Sequence, residues 1–127
     1  MGPRLRKMKP YHPRRRRSKN YQIQKQALKD LEHHLKTSVS ALLLCIEQGN
    51  TQQFEAERLK VKSDYLKHSD EMQKIASEIS ERTRHAVKAF LESVDTIIHS
   101  EIQWIDEEKV RHCYSATQLL EKELLAA

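Results

Sequence analysis

Apolar residues recur along this chain with the spacing of a helix face committed to a partner. Leu28, Leu31, Leu35, Val39, Leu42 and Ile46 follow one another at steps of three and four, which predicts a first helix over about 21–48. Lys25, Lys29, Glu32, Lys36 and Glu47 fall on the other side and read as its solvent face. Gly49-Asn50 should end this helix, because glycine enters the left-handed conformation without a Cβ clash. Asn50 or Thr51 can then cap the next one.

From Thr51 to Ala127 there are 77 residues without glycine or proline. Val61, Tyr65, Met72, Ile75 and Ile79 form one stripe. Val87, Leu91, Val94, Ile98, Ile102 and Ile105 continue it with a small phase shift, and Val110, Cys113, Thr117, Leu120 and Leu124 complete it. A seam sustained this long indicates a coiled coil. At 1.5 Å per residue the first helix would be about 40 Å long and an unbroken second one about 110 Å. The short helix cannot cover the long one, so a second chain should cover the excess. Val87, Phe90, Leu91, Val94, Ile98, Trp104, Ile105, Leu120 and Leu124 are the expected partner interface. The runner-up is a three- or four-helix bundle, with breaks at 67–71 or 99–108 where Ser69 or Asp106 could cap a new helix. In either case the fold class is all-α. Sheets need turn residues, and past the first 20 positions Gly49 is the sole glycine and proline is absent.

Charge divides the chain differently. Residues 4–20, "RLRKMKPYHPRRRRSKN", hold nine Lys or Arg and no Asp or Glu. Residues 21–127 carry 14 Lys+Arg against 18 Asp+Glu, so a basic segment adjoins a mildly acidic body. The division proposed is a disordered basic arm, 1–20, and a helical domain, 21–127. Like charges repel within the arm, and Pro10 and Pro13 favour extended backbone.

Two functions suit such an arm. Its two basic clusters, about ten residues apart, have the layout of a bipartite nuclear import signal read by acidic grooves of an import receptor. The same cations would displace counterions from DNA or RNA phosphates, giving sequence-independent, salt-sensitive binding. The residues assigned to these contacts are Arg4, Arg6, Lys7, Lys9, Arg14, Arg15, Arg16, Arg17 and Lys19. Ser18 follows four arginines and is a candidate phosphosite, since a phosphate there would offset nearly two charges.

Little in the sequence suggests chemistry. The seven histidines are not arranged as H-E-x-x-H and no Cys-x-x-Cys occurs, so no metal site is expected. His112 and Cys113 are adjacent and point to different helix faces, which argues against a nucleophile–base pair. With two glycines in the chain, a phosphate-cradling loop is out of reach. No enzyme, cofactor or small-molecule substrate is expected. Cys45 and Cys113 read as reduced thiols packed as small hydrophobes. The apolar run 41–46 is too short to span a bilayer, and Arg6 stands where a myristoylation signal wants Ser or Thr, so no membrane contact is expected.

The reading is a nuclear, non-enzymatic coiled-coil scaffold or adaptor that joins itself or another helical protein. Its arm would meet an import receptor and, through DNA or RNA, chromatin. The layout is similar to that of chromosome-axis and kinetochore scaffolds, at the level of fold and not of motif. One alternative is a structural subunit of a cytoplasmic centrosomal or microtubule-linked complex. The other is a compact helical RNA-binding assembly factor.

Overall fold

The computed structural model describes the backbone of residues 2–126 and the side chains of residues 20–126. Four α-helices follow in order: α1 (Gly2–Gln48), α2 (Thr51–Ile79), α3 (Glu81–Ile98) and α4 (Glu107–Ala126). A single 3₁₀ turn, Ile102–Trp104, lies between the last two. Among the described residues there is no strand.

The α1–α2 turn forms as the sequence predicts. Gly49 sits at φ +66, and the Asn50 side chain accepts from the Gln53 amide at 3.1 Å, satisfying one of the free donors at the start of α2. As numbering rises along α1 it falls along α2. Gln24 donates to Glu78 at 3.0 Å and Ser38 donates to Asp64 at 2.6 Å, so the two helices are antiparallel.

The unbroken second helix does not occur. Continuity is lost first at Ser80, which is extended at φ −169 and ψ 163. Its amide still bonds to Ala76 O, while its hydroxyl accepts from the Thr83 amide at 3.1 Å. One residue thus closes α2 and caps α3, and no glycine or proline is needed. The second break falls at 99–106, one of the two expected places, where the Asp106 carboxylate accepts from the Lys109 amide at 2.9 Å. The other candidate, 67–71, stays helical and its Ser69 is buried within α2.

These breaks fold the chain back on itself. Contacts run α1 to α2, α2 to α3, α3 to α4 and α4 to α1. Arg82 at the start of α3 lies 3.4 Å from Glu123 near the end of α4, and Tyr114 of α4 donates to Glu47 of α1 at 3.3 Å. A single apolar core draws on all four helices. Leu28, Leu35 and Leu42 of α1, Phe54, Val61 and Met72 of α2, Val87, Phe90 and Ile98 of α3, and Cys113 and Leu120 of α4 are fully enclosed. Burying each large side chain contributes about 1.5–3 kcal/mol, and these side chains are covered by other helices of the same chain.

The helical backbone of α1 begins at Gly2 and so includes Pro10 and Pro13. Lys25 and Glu32, assigned to the solvent face of α1, are buried. The helix touches both α2 and α4, so it presents two covered sides instead of one stripe.

Candidate functional site

The basic residues Arg4, Arg6, Lys7, Lys9, Arg14, Arg15, Arg16, Arg17 and Lys19, with Ser18, belong to the N-terminal part of α1, and their side chains lie outside the described residues. What the structure adds is the charge environment of the body. Arg58 pairs with Glu55, Arg84 with Glu81, Arg111 with Glu107, Arg82 with Glu123 and Lys36 with Glu121. Five of the body's 14 Lys and Arg are paired in this way, and because the body also holds 18 Asp and Glu, the chain's net positive charge comes from the first 20 residues.

The residues expected to face a partner chain are placed differently. Val87, Phe90, Leu91, Val94, Ile98, Ile105, Leu120 and Leu124 lie within the chain's own core. The reason is geometric: the breaks at Ser80 and 99–106 bring α3 and α4 together and against α1 and α2. Trp104 is the exception. It stands on the 3₁₀ turn with 68% of its surface exposed, and Lys109 Nζ donates to its backbone carbonyl at 2.9 Å.

Three clusters of titratable groups remain. The first joins α1 and α4. Glu32 is buried, and its Oε2 has no hydrogen-bond partner. Burial, reinforced by the charge of Glu121, pushes its carboxyl up to about 7. Lys36 partly opposes this shift, and the bond from Lys36 to Glu121 in turn raises the Lys36 ammonium. A carboxyl held near neutrality resembles a general acid or base. The adjoining groove, however, is lined by Lys29, Asp30, Glu32, His33, Glu121, Leu124 and Leu125, which offer no hydroxyl or thiol to attack a substrate.

The second cluster contains Cys113, which is fully buried. Its thiol is pushed up by burial, with Ser93 and Thr117 beside it. That is the opposite of an activated nucleophile, which needs a stabilised thiolate. Burial raises Cys45 as well, with a smaller contribution from Glu57.

The third cluster joins α1 and α2. His34, Asp64 and His68 each aim one ligand atom at a common space, with all three atoms within 4.8 Å of one another. His34 Nε2 lies 3.6 Å from Asp64 Oδ1, and the two imidazole rings meet edge-to-face at 5.2 Å and 87°. Motif inspection misses this group because its members come from two helices. Its one local signature is the i,i+4 pair Asp64/His68; His34 joins through the antiparallel register set at Gly49.

Among the described residues, no helix is long and apolar enough to cross a membrane. No protein-family model matches this chain, nor does any curated protein or solved structure.

Proposed function

We propose that this chain is a non-enzymatic nuclear adaptor in which a self-contained four-helix body carries a polybasic N-terminal segment to polyanions. The segment binds the acidic grooves of an import receptor and, non-specifically, the phosphates of nucleic acid. The observation that carries this reading is the concentration of nine cations and no carboxylate in residues 4–20, beside a body of net negative charge. The coverage of α3 and α4 by the chain itself favours a compact nucleic-acid-binding factor over an oligomeric rod. Contact with another helical protein then falls to the exposed Trp104 (a residue type enriched at interface hot spots) and not to the core-facing stripe.

The test is duplex DNA and single-stranded RNA binding by the full chain across a salt series, against the variant R14A/R15A/R16A/R17A. Each phosphate contact contributes about −0.9 to the slope of log K against log salt on duplex DNA. Nine cations bound together therefore set a limit of about −8, and removing four should reduce the slope by about 3–4. Nuclear accumulation of a reporter fusion should fall in the same variant. Equal affinity and equal salt dependence in the two proteins would refute the proposal.

A further inference from the structure

We propose that His34, Asp64 and His68 form a binding site for a divalent transition-metal ion of the zinc class, which clamps α1 to α2. Three independent features converge on it. The first is composition. Two imidazoles and one carboxylate are a ligand set for zinc, cobalt, nickel or copper, whereas calcium and magnesium favour cages of oxygen.

The second is placement. Asp64 and His68 are one helical turn apart on α2 and share a face. His34 meets them from α1, as the antiparallel register requires. The 3.6 Å between His34 Nε2 and Asp64 Oδ1 is close to the edge of a tetrahedron of ligands at about 2.0–2.1 Å from the ion, which is about 3.3 Å. The three ligand atoms all lie within 4.8 Å of one another.

The third is support from the next layer. Ser38 is buried and donates to Asp64 Oδ2 at 2.6 Å. It thereby fixes the carboxylate and leaves Oδ1, the oxygen beside His34, to face the ion. Hydrogen bonds of this kind to a ligating carboxylate orient the site and strengthen it. Asp30, His33 and Lys60 line the groove beside His34 and Asp64. His34 is exposed and Asp64 and His68 are half-buried, so an ion enters without opening the core. Three protein ligands leave a fourth position for water or for a group on a partner.

The experiment uses the full chain with Zn²⁺ in calorimetry and Co²⁺ in visible absorption, alongside H34A, H68A, D64N and S38A and the controls H85A and H112A. Circular dichroism checks that every variant keeps its helix content. The expected result is one ion per chain at micromolar affinity, a d–d absorption band of tetrahedral intensity, and a higher melting temperature with Zn²⁺. H34A and H68A should each weaken binding by at least about tenfold, and S38A by about tenfold through loss of its support. H85A and H112A should bind as the parent does. Stoichiometric binding that survives in H34A and H68A, or no binding at micromolar to sub-millimolar Zn²⁺, overturns the proposal.

Discussion

Replacing Glu32 by glutamine changes one atom of a buried side chain and removes the cost of ionising it. In the folded chain burial, with the charge of Glu121 beside it, raises this carboxyl from 4.5 to about 7. Below pH 4.5 the group is protonated in folded and unfolded chains alike, and its titration has no effect on stability. Between 4.5 and 7 the unfolded chain releases the proton while the folded chain keeps it, so stability falls as pH rises. Above 7 both are ionised and the loss is complete. The full shift corresponds to about 3 kcal/mol. Glutamine avoids this loss but still buries an amide that needs a partner, which lowers the net gain to about 1–2 kcal/mol. Urea unfolding of parent and E32Q should therefore show E32Q less stable by about 1 kcal/mol at about pH 5, drawing level near about pH 6 and leading by about 1–2 kcal/mol above about pH 7. Carboxylates that do not interact with Glu32 cancel in the difference. An advantage that does not change with pH, or a variant less stable than its parent at about pH 8, would refute the reasoning.

Other outcomes follow from the same structure. Ser80→Ala removes the acceptor for the Thr83 amide and should cost about 1 kcal/mol, or about 3–5 °C in melting temperature for a domain of this size, read by calorimetry; an unchanged melting point would mean that the break is held by core packing alone. Cys45 and Cys113 are buried with their thiols pushed up, so a thiol reagent should label neither quickly in the native chain and both in urea. Rapid native labelling of either would show that the core opens. Ser18→Glu adds one negative charge to the basic segment and should weaken DNA binding by a few-fold at low salt, about one contact's worth of salt dependence; unaltered binding by anisotropy would remove Ser18 as a switch.

Much of this architecture can be read in the residue pattern, and the failures have identifiable causes. The 3–4 spacing from Leu28 to Ile46 and the Gly49-Asn50 stop locate the first hairpin because periodicity and turn chemistry are local. The cap at Asp106 is legible for the same reason. Ser80 is not, since serine is common inside helices and what distinguishes this one is the bond to Thr83, formed where α3 turns back onto the core. The stripe from Val87 to Leu124 identifies buried residues correctly, but a stripe does not say whether its cover lies in the same chain. That single ambiguity separates a rod from a bundle. A single stripe leaves Glu32 and Lys25 in water, whereas a helix flanked by two others is covered on two sides. The His34–Asp64–His68 group depends on register between helices and has no compact motif to announce it.

The claim on which the rest depends is that α3 and α4 cover their apolar faces within one chain, leaving the polybasic segment as the main recognition element. Light scattering coupled to size exclusion, on the full chain over about a hundredfold range of concentration, tests it most directly. The account predicts a constant mass near 15.0 kDa and a compact elution volume. A mass that rises to twice that value or beyond with concentration, or a rod-like particle, would contradict it.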